Sequence, residues 1–187
     1  MKRHIVRYLW TMVILFASLA ALLLALSVVF MIMSLFSIFA AESDNFVKQH
    51  PIPEGLEYNL PLETGEQLVI DSLETETYLQ IWNDIQGGMY LYDFYYGALP
   101  ACEIFLRCYE TTKNTPLSEG RIARCSKVKV DSTCSFMQLA SKQEFTIYEG
   151  NWGDYYAARI EVWHRDTATG RVHKLCEKLY RVEGWMR

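Results

Sequence analysis

Missing from the sequence are the short patterns on which catalytic and cofactor chemistry is commonly built. There is no Gly-x-Ser-x-Gly, no His-Glu-x-x-His, no phosphate-loop glycine pattern and no Cys-x-x-Cys pair. Those absences remove the readable signatures of a serine hydrolase, a zinc protease, a nucleotide-binding loop, and a zinc ribbon or thioredoxin-type redox site. Acid pairs such as Glu74/Glu76 and Asp84/Asp93 lack a partner that would tune them for proton transfer. His164 and His173, with Asp166 nearby, come nearest to a metal or acid–base site. The hairpin phasing given below places those two histidines on opposite faces. His50 stands alone. The expectation is a chain without catalytic residues, metal or cofactor.

Bases are almost absent from the first half of the chain beyond the apolar run. Between Glu42 and Pro100 there are eleven acids and one base, Lys48. Such a stretch does not suit nucleic acid, whose phosphates need a basic footprint. From Ala101 to Arg187 the balance is eleven acids to fourteen bases. The acidic half reads either as a solvated face or as a surface that steers a basic partner.

The third absence is the most informative. Tyr8 to Ala41 contains no charge, no proline and no glycine. A continuous helix over that stretch would be on the order of 50 Å long, against a bilayer core of about 30 Å. One tilted span with an interfacial extension fits, and two spans with a turn do not. A cleaved signal peptide has a shorter apolar core and a small-x-small site, whereas cleavage at Ala40 or Ala41 would put Ile38 or Phe39 three residues upstream. The expected plan is a cytoplasmic tail at 1–7, a transmembrane helix at 8–41, an extended tether at 42–66 and an extracytoplasmic domain at 67–187. Lys2, Arg3, His4 and Arg7 precede the span and Glu42 and Asp44 follow it, so the N-terminus stays inside. Tyr8 and Trp10 suit the headgroup layer. Ala17, Ala21 and Ala25 recur every fourth residue and form a small-residue stripe through which two helices can self-associate.

All five cysteines, Cys102, Cys108, Cys125, Cys134 and Cys176, follow the span. An extracytoplasmic compartment permits disulfides, and an odd number leaves at least one thiol unpaired within the chain. On one strand Cys102 and Cys108 would sit about 20 Å apart and cannot bond. Cys125 and Cys134 flank a segment short enough for a small loop. Buried free thiols are the alternative.

Beyond the tether the chain consists of short apolar runs separated by turns. Strands are predicted at Gln67–Ile70, Tyr78–Trp82, Met89–Tyr96, Glu103–Glu110, Val128–Val130, Gln143–Tyr148, Asp154–Arg165 and Arg171–Val182. One helix is predicted over Pro116–Arg124, with Thr115 as its N-cap. Many short strands at this spacing make a mainly β fold, an antiparallel sandwich or barrel. If Asp166 pairs with Gly170, Arg159 faces Glu177 and Tyr156 faces Tyr180. Tyr156, Ala158, Ile160, Val162, Val172, Cys176 and Tyr180 then form the core face. Arg159, Glu161, Arg165, Arg171, Glu177 and Arg181 form the wet one. Lys174 and Lys178 fall on the wrong side, which points to a bulge in the last strand.

The stretch "EFTIYEGNWGDYYAARIEVW", Glu144 to Trp163, resembles the E-to-F strand region of fibronectin type III and immunoglobulin-like domains. The matching positions are Ile147, Gly153, a corner tyrosine at Tyr156, and Ala158, Ile160 and Val162. The likeness covers about a quarter of the outer domain. A proline-rich start is missing and the Pro116 helix is an insertion. The resemblance implies an immunoglobulin-like sandwich and no particular activity.

Five aromatic rings lie between Met89 and Tyr96. Tyr90, Tyr92, Phe94 and Tyr96 line one side of that strand. A dry core prefers residues without hydroxyls, so this side reads as partly wet and able to grip a partner. Cross-strand packing inside the sheet is the other reading. Trp152 sits between Gly150 and Gly153 at a loop tip, as a lid or an exposed anchor. Trp163, on the polar face, is placed for an arginine to stack on it, and Trp185 is expected to pack back on the domain.

These features predict a membrane-anchored, non-catalytic recognition module that holds a protein, peptide or glycan through Tyr90, Tyr92, Tyr96 and Trp152. An immunity or inhibitor protein acting on a toxin at the membrane, or a structural subunit of an envelope complex, are the alternatives.

Overall fold

Alternation in the sequence sets the strands, and strand register sets which side chains meet. The computed structural model describes residues 17–34, 46–66 and 77–185. The basic flank Lys2, Arg3, His4 and Arg7, the rings Tyr8 and Trp10, the acids Glu42 and Asp44, the pair Glu74/Glu76 and the strand expected at Gln67–Ile70 lie outside the described residues. The chain divides into two compact units, Met1–Glu42 and Ser43–Arg187.

In the first unit Ala17–Ser34 is one helix, α1, long and apolar enough to cross a membrane. Ala17, Ala21 and Ala25 fall on one face of it, as a spacing of four requires. Ser27 Oγ donates to the Leu24 carbonyl at 2.8 Å, so this hydroxyl is satisfied within the helix.

The second unit is built on two antiparallel sheets. One joins β1 (Tyr78–Asn83), β2 (Met89–Tyr96) and β6 (Met137–Thr146) in the order β1-β2-β6. The other has the order β4-β3-β7-β8, from β3 (Cys102–Glu110), β4 (Pro116–Leu117), β7 (Tyr155–Asp166) and β8 (Val172–Glu183). β5 (Val128–Val130) shares the outer edge of β3 with β4 and makes the fifth strand. Leu79, Ile81, Tyr90, Tyr92, Phe94 and Phe145 from the first sheet share one core with Ile104, Leu106, Cys108, Ile160, Val162 and Tyr180 from the second.

The tyrosine side of β2 belongs to that core. The hydroxyls of Tyr90 and Tyr92 cross the layer and find backbone on the far side, and Tyr180 of β8 does the same in the opposite direction. Tyr92 Oη donates to the Ser126 carbonyl at 2.6 Å. Tyr90 Oη donates to the Glu183 carbonyl at 3.2 Å and accepts from the Glu183 N–H at 2.8 Å. Tyr180 Oη reaches the Leu79 carbonyl at 3.0 Å. A buried hydroxyl with a backbone partner carries no desolvation penalty large enough to keep the face wet.

The helix begins later than its spacing predicts. Leu117 is drawn into the edge of β3 as part of β4, and helix α2 spans Glu119–Cys125. Ser118, not Thr115, precedes it. Its backbone N–H and hydroxyl both donate to the Glu149 carboxylate, at 2.9 and 2.8 Å.

The β7–β8 hairpin carries the expected bulge, and it changes the pairing. Tyr156 faces Val182 and Arg159 faces Leu179, with a register shift between Val162 and Trp163. Tyr156, Ala158, Ile160, Val162 and Tyr180 are core residues as expected, whereas Val172 is exposed. The same shift places His164 directly opposite His173, with ring centroids 4.3 Å apart.

The segment expected as a free tether at 42–66 lies, from residue 46 on, against this domain. Phe46 and Val47 pack on the core. His50 is buried; its Nδ1 meets the Phe46 carbonyl at 2.7 Å and its Nε2 lies 3.6 Å from the Glu110 carboxylate. Further on, Asn59 bridges to Tyr180 and Leu62 to Trp82, each in parallel. Backbone groups without a partner are costly, and these bonds satisfy the outer edges of β8 and β1. All five cysteines are free thiols. Cys102 and Cys108 are buried on β3, while Cys125 and Cys134 are exposed. Burial pushes the Cys176 thiol up to about 11.

Candidate recognition surface on the five-stranded sheet

Of the four side chains expected to touch a partner, Tyr90 and Tyr92 are core residues with no surface to offer, at 2 % and 0 % exposure. Tyr96 is half-buried, stacked on Phe94 at the rim of the core. Trp152 alone is open, at 60 % exposure. Gly150 and Gly153, both at positive φ, turn the chain on either side of it. Its ring rests on Gly87, where an added Cβ would lie only 2.4 Å from Trp152 Cδ1. Trp185 folds back, with its N–H donating to the Ile147 carbonyl and its ring edge-on to Tyr148.

The larger feature is the outward side of β3, β7 and β8. Cys102, Ile104, Leu106 and Cys108 point inward, so Glu103, Phe105, Arg107 and Tyr109 point out. Antiparallel pairing sets these opposite Arg165, Trp163, Glu161 and Arg159 in turn. Lys174, Glu177 and Arg181 reach the same side from β8, and Tyr155 lies at the start of β7.

Rings and guanidinium groups alternate over this surface. Arg107 Cζ lies 4.5 Å from the Trp163 ring centroid and 5.7 Å from that of Phe105. Arg165 covers Phe105 at 5.2 Å, Arg159 covers Tyr109 at 5.3 Å and Arg181 covers Tyr155 at 4.7 Å. The arginine expected to stack on Trp163 comes from β3 and not from Arg165 or Arg171. Such contacts are worth about 0.5–1 kcal/mol where exposed, and they also fix the plane of each guanidinium.

Glu161, expected on the wet face, is buried beneath this layer at 3 % exposure. Its carboxylate accepts from Trp163 Nε1 at 2.8 Å, Arg159 Nε at 3.0 Å and Lys174 Nζ at 3.3 Å. Burial alone would raise its pKa. The three donors outweigh burial and hold it below the ordinary carboxylate value. Lys174 also pairs with Glu177 at 2.6 Å, and Glu103 is shared by Lys127 and Arg165. Among the described residues, Arg107 and Arg181 are in no ion pair.

The histidine pair lies on the inward side of the same sheet. His164 is 2 % exposed and neither of its ring nitrogens has a hydrogen-bond partner. Burial and the neighbouring His173 ring both lower its pKa. Among the described residues no group of three or more His, Cys, Asp or Glu side chains is placed to hold a metal ion. No family model, no curated protein and no solved structure matches this chain.

Proposed function

We propose that the protein is a single-pass membrane protein whose outer domain is a non-catalytic recognition module for another protein. In this reading α1, which lies within the uncharged stretch Tyr8–Ala41, spans the bilayer, and the basic N-terminal residues stay in the cytoplasm. Residues after the span form an immunoglobulin-like sandwich outside it. Two features support the sandwich. Assigning β1, β2 and β6 to strands A, B and E, and β3, β7 and β8 to C, F and G, reproduces the partition of such folds into two sheets. Tyr156, at the start of β7, donates its hydroxyl to the Glu149 carbonyl at 2.8 Å, as a corner tyrosine does.

The observation that carries the binding role is the outward layer of Tyr109, Tyr155 and Trp163 interleaved with Arg107, Arg159 and Arg181, with Arg165 covering the buried Phe105. Aromatic residues and arginine dominate the energetics of protein interfaces, because they present large areas at low entropic cost together with directional donors. Affinity capture on the full-length protein in detergent micelles tests it. A partner held by the wild type is lost from the double variant Tyr109→Ala/Tyr155→Ala and kept by Tyr95→Ala, on the other sheet. Equal retention by both variants, or loss from Tyr95→Ala alone, overturns the assignment.

A further inference from the structure

Resting on that reading, we propose that Arg107 is the anion-recognising centre of the surface, and that it takes an Asp or Glu carboxylate from an acidic segment of the partner protein.

The register creates the site. Arg107 and Glu161 are direct cross-strand partners, the position at which opposite charges normally pair. Glu161 instead accepts from Trp163, Arg159 and Lys174, and at 3 % exposure it is enclosed by them. The carboxylate facing Arg107 is thus taken by three other donors. The guanidinium keeps its charge and has two aromatic rings as its neighbours. Rings contact the planar face of a guanidinium. The five N–H donors point outward from its edge, in the fork that matches a carboxylate. The two rings, with centroids 4.5 and 5.7 Å from Arg107 Cζ, restrict where the guanidinium can move before any ligand arrives, which lowers the entropic cost of binding.

The surroundings favour a protein carboxylate over a bulk anionic surface. Arg165, which shares Phe105 with Arg107, and Lys127 together answer one carboxylate, Glu103. Cations therefore exceed acids around the fork. Glu103 and Glu177 are nevertheless interspersed on the same face, where a phospholipid layer would set phosphates against them. An individual side chain of a partner can meet Arg107 and avoid both. Of the acids of the first half, expected to steer a basic partner, one lies on β2. Asp93 there is buried and hydrogen-bonded to Trp82 Nε1 and the Lys142 N–H.

The probe is an array of random-sequence peptides incubated with the full-length protein in detergent micelles. Wild type should enrich peptides rich in Asp and Glu. Arg107→Gln should bind those peptides about 10- to 100-fold more weakly, the loss of one charge-assisted hydrogen-bonded pair. Arg107→Lys, which keeps the charge without the fork, should fall between. A thermal midpoint near that of wild type shows that each variant is folded, and the graded response separates recognition from misfolding. Peptides enriched without acidic residues, or acidic peptides held equally by Arg107→Gln, overturn the proposal. So does displacement of the peptide by an equal concentration of glycerol phosphate, which would assign the fork to lipid headgroups. Peptides that lack acid enrichment but are lost from Tyr109→Ala/Tyr155→Ala overturn the role of Arg107 and leave the surface standing. Peptides held equally by that double variant overturn the surface itself.

Discussion

The two sheets turn outward faces that are both aromatic and are chemically unlike. On the three-stranded sheet the polar groups answer one another. Asp93 accepts from Trp82 Nε1 at 3.2 Å and from the Lys142 N–H at 2.7 Å, while Lys142 Nζ lies over the Trp82 ring. Tyr78 Oη donates to Gln80, whose amide donates to the Ile81 carbonyl, and Tyr95 stacks on Phe136. On the five-stranded sheet the carboxylates are answered, and among the described residues Arg107 and Arg181 have ring contacts and no ion pair. Aromatic density therefore does not distinguish a binding face from a packed one. What distinguishes the two is the kind of cation held over a ring: guanidinium forks on the five-stranded sheet, the Lys142 ammonium on the three-stranded one.

That contrast is broken or sharpened by a graded series of substitutions. The largest effect belongs to the core. Tyr92→Ala removes a fully buried ring and its bond to Ser126, and should lower stability by about 3–5 kcal/mol in urea denaturation. Partner capture by the fraction that remains folded should be unchanged. Loss of capture at retained fold would return β2 to the recognition surface.

Next come Asp93 and Glu161, buried carboxylates that lie one under each outward face. Asp93→Asn and Glu161→Gln should each cost about 1–3 kcal/mol, because each leaves donors without their charged acceptor. Only Glu161→Gln should alter binding, since it disturbs Arg159 and the Trp163 ring on which Arg107 rests. The Glu161 carboxyl titrates below its ordinary value in the folded chain. Its stabilisation is therefore present above the unfolded-state pKa of about 4.5 and is lost as pH falls through the folded value. Acid denaturation curves of wild type and Glu161→Gln should converge in that window.

His164 gives a smaller, pH-dependent effect. Its folded pKa lies below 6.5, so the unfolded chain binds more protons just below that pH. Stability should fall as pH drops from 6.5 towards the folded value, by at most about 1.4 kcal/mol per pH unit. His164→Phe should flatten that slope without touching the outward face. Smallest of all, Arg107→Gln and Arg181→Gln should change stability by less than about 1 kcal/mol, since each gives up ring contacts near the surface and no ion pair.

Much of the strand pattern is legible in sequence. The bounds of β2 and β5 follow directly from apolar runs between turns, and Tyr156, Ala158, Ile160 and Val162 reveal their shared face by alternation. The rest depends on atoms distant in the chain. Tyr90 and Tyr92 read as wet because their partners, Glu183 and Ser126, lie 93 and 34 residues away. His164 and His173 read as opposed because a single bulge opposite Val162 and Trp163 reverses the phase. The tether of 42–66 reads as free because prolines mark extended chain without saying what it lies against. The arginine layer is the subtlest case. Phe105-x-Arg107-x-Tyr109 and Arg159-x-Glu161-x-Trp163-x-Arg165 both alternate visibly, and this was the available signal. That they interleave depends on the β3–β7 register, which neither strand encodes alone.

The most direct test replaces Tyr109 and Tyr155 on one face, and Leu91 and Tyr95 on the other, one at a time with the photoreactive residue benzoylphenylalanine in the full-length protein. Irradiation should form a covalent adduct with one partner protein from Tyr109 and Tyr155 and none from Leu91 or Tyr95. Adducts from Leu91 and Tyr95, or equal yields from both faces, would contradict the claim that uncompensated arginines mark the surface that binds.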